Sequence, residues 1–414
     1  MNYPNNIEDA KKHTYNFWKN KPVVKFDEIS TYSGNIESKL MDRQVYNLDE
    51  PIKLPSSMNW NVIDLSDESN LLHISEFLKL HYVSDESNTF KMDYSPEFIK
   101  WSLGESGSLI AITLKSNNAI CGVVGYYLKN MVVFDKTEKF GVVNFLCSHP
   151  AYRKKKIAFT LIDEITRRIV KSGVNQGCFT TGRCVPTPIT CIRYYHRPIN
   201  YIKLKTHKFT IIDSDEKVDK ITKNDEKIAK VLKISDEFPK NFIKMEESHI
   251  PKVLELYNKF MFRFNIYNKY TEDELKTMLL NNNIVKSYVI LKGDEIVDFT
   301  SYFILDYLVD NTTEKLHTGY LFLYSSETLI SSEIVKETIN STQIDNLDLF
   351  NIIDVGNMFD ALLLKDTGLV DSDYESYQKS YNHHFMKGTG KLYFNFFNWK
   401  CSEVLTNQIF INVL

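Results

Sequence analysis

Four consecutive cations, Arg153, Lys154, Lys155 and Lys156, stand between two apolar patterns in VVNFLCSHPAYRKKKIAFTLIDEITRRI, residues 142–169. Upstream, Val142, Val143, Phe145 and Leu146 read as a short β-strand, with Asn144 as a polar interruption. Downstream, Ile157, Leu161, Ile165 and Ile169 fall four apart and Ile162 joins their face, which predicts an amphipathic helix. Asp163, Glu164, Arg167 and Arg168 take its wet side. The cations therefore fall in the loop and the first helical turn. A helix N-terminus already carries unpaired N–H groups and about half a positive charge, so cations there cost roughly a few tenths of a kcal/mol. Binding a polyanion reverses that cost, because phosphate oxygens accept from the amides and neutralise the side chains. A solvated basic turn is the other reading of the same run.

A seat of this kind needs a body to hold it, and the chain is long enough for two domains of about 200 residues. A helical pattern at Asn70 to Leu80 and another at YSPEFIKWSL, with Pro96 in its first turn, precede SLIAITLKSNNAICGVVGYYL (108–128). That stretch reads as a hairpin turning at Lys115 to Asn118. About 175 residues later IPKVLELYNKFMFRF and TEDELKTMLL precede SYVILKGDEIVDFTSYFIL, a second hairpin turning at Lys292 to Glu295. The repeat of helix then hairpin predicts a duplicated α/β architecture. Four prolines punctuate the polar first 60 residues, which are expected to wrap over the body. The charged run Asp213 to Lys230 is expected to connect the halves.

Composition narrows the function classes. A net charge of −3 gives the chain no general attraction to nucleic acid, and no basic–aromatic alternation surrounds the cation run. No window reaches the ~18 apolar residues of a membrane span, and the polar N-terminus lacks the apolar core of a signal peptide. Cys121, Cys147, Cys178, Cys184, Cys191 and Cys401 show no C-x-x-C pair, so buried thiols in a reducing cytoplasm are expected and a metal site is not.

A strand, a basic turn and a phosphate-binding helix together resemble the pyrophosphate cradle of acyl-CoA-dependent N-acyltransferases. NFLCSHPAYRKKKIAFTLIDEITRRI is similar to the signature of one of their families, glycylpeptide N-myristoyltransferase. Four more stretches resemble that family in the same order: YNFWKNKPV (15–23), YVSDESNTFKMDYSPEFIKWSL (82–103), FTTGRCVPTPITCIRYYHRPIN (179–200) and NFFNWKC (395–401) with the terminal INVL.

The resemblance implies an α/β (α+β) fold of two tandem GNAT-like acyltransferase halves, sharing one continuous mixed β-sheet body with flanking helices. Residues 1–60 would cover the CoA site, 61–212 form the acyl-CoA-binding half, 213–230 the linker, and 231–414 the half that shapes the peptide groove. It implies transfer of a myristoyl group from myristoyl-CoA, the acyl-donor substrate, to the α-amine of an N-terminal glycine. No prosthetic group or metal is implied, and a cytoplasmic monomer is expected. The backbone amides of Phe145 and Leu146 would hold the thioester oxyanion, while Asn144 and Thr180 would orient the amine. That amine has a free pKa near 8 and must lose a proton, for which the resemblance implies the C-terminal carboxylate of Leu414. Tyr15, Asn16, Phe17, Trp18, Arg153, Lys154, Lys155, Lys156, Ile157 and Ala158 match CoA-binding positions. Val83, Asp85, Glu86, Phe90, Tyr94, Gly182, Tyr194 and His196 match peptide-binding ones.

The sequence also departs from the family pattern. Lys154 stands for serine, Phe159 for proline, Val143 for glutamate, Leu321 for serine, Ser87 for a third acid and Thr389 for aspartate. An insertion lies between Asp354 and Gly388, and 14 residues precede YNFW, so no long basic leader is expected. Most departures fall on the peptide side, which predicts intact acyl-CoA binding and an altered peptide preference. Two rivals follow: acylation of lysine side chains, or a catalytically weak acyl-CoA or myristoyl-peptide binder.

Overall fold

The computed structural model describes residues 3–26, 28, 30, 32–37, 47–83, 89–209, 221–310, 312–329, 331–356 and 385–411, with side chains omitted at 331, 332 and 389. The leading segment carries helix α1 (Ile7–Lys12). The first series then runs β1 (Met58–Ile63), α2 (Glu68–His81), β2 (Phe90–Met92), α3 (Pro96–Leu103), β3 (Ser108–Leu114) and β4 (Ile120–Val133). It continues through β5 (Lys136–Ser148), α4 (Ile157–Lys171), β6 (Gly177–Thr181), β7 (Thr190–Pro198) and α5 (Tyr201–Thr206). The second series opens with α6 (Lys223–Leu232), β8 (Phe242–Lys244), α7 (Ile250–Met261), β9 (Ile266–Asn268), α8 (Glu272–Leu279), β10 (Val285–Lys292) and β11 (Glu295–Ile304). It ends with β12 (Tyr307–Val309), β13 (Lys315–Leu316), β14 (Thr318–Tyr324), α9 (Ser331–Ser341), β15 (Leu349–Ile353), β16 (Met386–Phe397) and β17 (Ile409–Phe410).

Local chemistry sets several of these ends. The Ser95 side chain accepts from the Phe98 N–H, Pro96 fills the first helical position of α3, and Gly104 at φ 62° ends it. Thr271 and Glu274 form a reciprocal capping box on α8. Both predicted hairpins form, β3 with β4 and β10 with β11. Part of the run expected as a linker is helical: α6 docks through Asp225, which accepts from Lys205 Nζ at 2.7 Å.

Fourteen strands make one mixed sheet, ordered β1-β3-β4-β5-β6-β16-β7-β15-β14-β11-β10-β8, with β9 paired to β4 and β17 to β9. Read inward from either edge, the two halves repeat. The parallel pair β5 and β6 is bridged by α4, and the parallel pair β14 and β15 by α9. At the centre the halves exchange a strand, since β16 pairs with β6 and β7 pairs with β15. This is the GNAT-like duplication in a single sheet. A second, three-stranded sheet, β13-β12-β2, also joins the halves.

One expectation fails on α4. Glu164 and Arg167 are buried rather than wet, because residues near Leu48 and Ile52 cover that face. Glu164 accepts from the Arg167 Nε and Nη2, from the Arg168 Nε and from the Ile52 N–H. The leading segment is thereby tied to the helix beneath it.

Candidate active site

The parallel pair β5 and β6 holds for three residue pairs, Gly141 with Gly177, Val142 with Cys178 and Val143 with Phe179. Beyond Val143 no pair follows, and a cavity of about 390 Å³ opens against α4. Asn144, Phe145, Leu146, Thr180, Ile165 and Ile169 line it. At the same point the β4–β5 register slips: Gly125 faces Asn144 and Val123 faces Cys147, so Phe145 and Leu146 share Val124 as partner. This bulge takes two peptide groups out of the regular ladder where they face the cavity. Phe145 pays for it with φ 55°, a left-handed conformation costing about 1–3 kcal/mol for a bulky residue. Its ring is buried edge-on to Tyr94 at 5.4 Å, and that packing holds the strained backbone.

Two polar groups complete this end of the cavity. Burial pushes the Tyr82 hydroxyl pKa up to about 12, and the nearby Phe145 N–H works against that rise. Asn144 Nδ2 is buried without a hydrogen-bond partner. Asn144 and Thr180 also border a smaller cavity of about 20 Å³, together with Ile411 just past β17. A buried amide left unpaired costs about 1–3 kcal/mol.

The basic turn is a 3-10 segment, Pro150–Lys155, and all four cations are exposed. They precede α4 rather than entering its first turn, because Lys156 adopts φ 60° and the helix begins at Ile157. Arg153 donates to the Ser148 and His81 carbonyls at 3.4 and 3.3 Å. Ala158, one residue into the helix, lines the cavity. The leading segment closes the opposite side. Trp18 lines the cavity and stacks on Phe179 at 5.6 Å, and Phe17 stacks on Phe159 at 4.1 Å and 7°. The Tyr15 hydroxyl donates to the Cys184 carbonyl at 2.9 Å and Lys21 pairs with Asp163, while Asn16 is exposed.

The remaining sequence-predicted residues divide. Val83 and Gly182 line the large cavity. Tyr194 borders a separate cavity of about 30 Å³ with Leu321, Asn351 and Ile411. His196 is buried behind it, its Nδ1 2.6 Å from Asn351 Oδ1. A Cβ on Gly388 would come within 2.7 Å of His196 Nε2, so glycine is required there. Phe90 and Tyr94 are packed in the core, Phe90 against Phe209 at 5.3 Å. Asp85, Glu86 and Leu414 lie outside the described residues.

Two site residues were missed in the sequence. Tyr82 directly precedes Val83 in a stretch already singled out. Asn351 interrupts the apolar run LFNIID just as Asn144 interrupts VVNFLC, and its Nδ2 is likewise buried without a partner. A polar residue interrupting an apolar strand run is the signal that Asn144 and Asn351 share.

His196 carries a pH prediction. Burial pushes its pKa down to about 4, below the ~6.5 of an unfolded histidine. Stability is unaffected above pH 6.5 and falls as pH drops from there toward 4, because only the unfolded chain gains the proton. The loss should reach about 3 kcal/mol by pH 4. Urea melts of His196→Gln are expected to lack this component; an unchanged difference between pH 7 and pH 4.5 would refute the assignment.

Comparison with known proteins agrees with this geometry. Residues 36–191 match the family model for the myristoyl-CoA:protein N-myristoyltransferase N-terminal domain, and residues 216–409 match its C-terminal domain. A probable glycylpeptide N-tetradecanoyltransferase of Caenorhabditis elegans is 29% identical over 98% of this chain and 87% of its own length. A Kluyveromyces lactis glycylpeptide N-tetradecanoyltransferase is 30% identical over 94% of this chain and 87% of its own length. The crystal structure of Saccharomyces cerevisiae N-myristoyltransferase with bound myristoyl-CoA superposes with a TM-score of 0.80 at 25% identity, covering 94% of this chain and 93% of the other.

Proposed function

The chain belongs to the myristoyl-CoA:protein N-myristoyltransferase family, and from that premise we propose how its residues carry the reaction. It transfers a myristoyl group from myristoyl-CoA to the α-amine of an N-terminal glycine. The observation that supports the residue roles best is the split between β5 and β6, with the Phe145–Leu146 bulge at one end and the cation turn beside it.

The donor's phosphates lie against Arg153, Lys154, Lys155 and Lys156 and the N–H groups of Ile157 and Ala158. Its acyl chain runs into the apolar cavity against Ile165 and Ile169, under Trp18 and the segment from Tyr15 to Phe17. The thioester oxygen then meets the Phe145 and Leu146 amides, beside the Tyr82 side chain that lines the same cavity. The glycine amine, held by Asn144 and Thr180, attacks the thioester carbon once deprotonated. Negative charge builds on the oxygen facing the amides, the C–S bond breaks, the nitrogen's second proton passes to the sulfur, the amide remains, and CoA leaves as the thiol. A preorganised donor of this kind contributes about 10²–10³ in rate.

The first half, 61–212, holds the donor and the second half, 231–414, shapes the peptide groove. Leu321 makes the small cavity beside Tyr194 and Asn351 more apolar than serine would, which favours peptides with an apolar group there. Action as a cytoplasmic monomer belongs to the same reading; among the described residues no helix is long and apolar enough to cross a membrane.

The deciding assay incubates the protein with myristoyl-CoA and a panel of N-terminal Gly peptides and follows CoA release. Turnover is expected on at least one peptide, and an acetylated N-terminus should abolish it. Binding of myristoyl-CoA without turnover on any peptide would sink the enzymatic reading in favour of a binding relative.

A further inference from the structure

A second cavity, of about 360 Å³, lies between the end of α3, strand β4 and helix α8. Its floor is Lys129, whose side chain is 7% exposed although its neighbours on the rim are open to solvent. The Lys129 Nζ lies 3.1 Å from Glu274 Oε1 and 3.5 Å from the centre of the Tyr270 ring. Tyr127 and Asn268 wall this cavity from the smaller one that contains Asn144 and Thr180. Acyl transfer therefore has no use for Lys129, yet a buried amine at the base of an open cavity is chemically poised.

We propose that Lys129 captures small neutral aldehydes as a Schiff base. The Nζ lone pair attacks the carbonyl carbon, and the carbinolamine formed loses its oxygen as water. One C=N bond replaces one C=O bond, with no oxidant or reductant required. Glu274, 3.1 Å away, takes the ammonium proton as the amine attacks and returns it to the departing oxygen. The product is an iminium, which keeps its positive charge beside Glu274 and over the Tyr270 face. Acylation would instead abolish that charge and leave Glu274 without its partner, so the surroundings favour carbonyl capture over amide formation. The acids at the rim, Glu105 and Asp273, exclude anionic carbonyls and the phosphates of CoA. Leu103 and Met278 supply an apolar wall for the body of the aldehyde.

The protonation state permits the attack. Burial lowers the Lys129 pKa to about 8 against the opposing pull of Glu274. Near pH 8 about half of this amine is free, against under ~1% of an exposed lysine with pKa near 10.4. The groups that face it, Glu274, Tyr270, Tyr127, Glu105 and Asp273, all border the same cavity.

The full chain is treated with hexanal, reduced with borohydride and digested for site-resolved mass spectrometry. At pH 8 the reduced adduct is expected at Lys129 tenfold or more above the median of the exposed lysines, with a profile that levels off above pH 8. Lys129→Arg should remove that adduct without changing myristoyl-CoA binding. Enrichment below threefold, or a profile that keeps rising with the exposed lysines to pH 10, overturns the proposal.

Discussion

Replacing Arg153, Lys154, Lys155 and Lys156 together by glutamine is expected to weaken myristoyl-CoA binding about 10³-fold, while kcat at saturating donor changes less than threefold. The four side chains are exposed and lie before the first turn of α4, and only Arg153, through long contacts to the Ser148 and His81 carbonyls, also ties the turn to its surroundings. Exposed charges on a phosphate contribute roughly 1 kcal/mol each, and four such contacts amount to about 4 kcal/mol, or three decades in Kd. The loss should appear as ground-state affinity alone, because the phosphates are remote from the thioester carbon and are bound equally in the transition state. Titration of a fluorescent acyl-CoA at several salt concentrations checks both parts. The substituted protein should show a shallower salt dependence, having fewer charges to screen. If the run is only a solvated basic turn, affinity and salt slope will both stay as they were.

The strand–turn–helix was legible because its periods are local: apolar residues four apart on α4, and a β-prone run before the turn. What sequence could not show is which face of α4 another segment covers. Glu164 with Arg167 and Arg168 at i+3 and i+4 looks identical on a wet helix and on a buried one. The difference arises from Leu48 and Ile52, more than a hundred residues upstream, which bring their backbone groups to that face. The left-handed Phe145 was illegible for a related reason. Nothing in a phenylalanine announces positive φ, and the bulge exists only because β4 offers one residue opposite two. The fold class was readable from the repeated helix and hairpin, but the central exchange of β7 and β16 was not, since no local pattern records which strand a strand will pair with.

The duplication also bears on the proposal that the first half takes the donor. β14 and β15 pair for three residues, Thr318 with Leu349 to Tyr320 with Asn351, and then stop. β14 bulges just beyond, with Phe322 and Leu323 opposite Ser301. This repeats the register of β5 and β6 residue for residue, without the positive φ that Phe145 carries. The turn that follows differs. Where the first half presents four cations, the second folds its turn around a buried carboxylate, Asp298, which accepts from the Glu327 and Thr328 N–H groups at 2.7 and 3.0 Å. The second half carries its own anion in the place where the first is proposed to receive one. Its split is also filled: Phe410 packs on Tyr324 at 5.3 Å and on Phe264 at 5.5 Å, leaving only about 30 Å³.

Asn144→Ala should separate a catalytic asparagine from a structural one. In the chain as folded, Asn144 Nδ2 is buried with no acceptor, a state that costs about 1–3 kcal/mol and that alanine would not incur. The variant is therefore expected to unfold at the same temperature as the parent or a few degrees higher. Its kcat/KM for a Gly peptide should nevertheless fall about 10²-fold, because the group proposed to hold the amine beside the thioester is gone. Myristoyl-CoA affinity should move less than twofold, since the apolar cavity and the cation turn are untouched. Stability is measured by calorimetry and activity by CoA release on the same preparation. A side chain retained to support the β5 bulge would lower stability and activity together on removal. A buried donor kept unpaired at the end of an acyl cavity instead predicts that activity falls while stability holds, because the acceptor it awaits arrives only with the substrates.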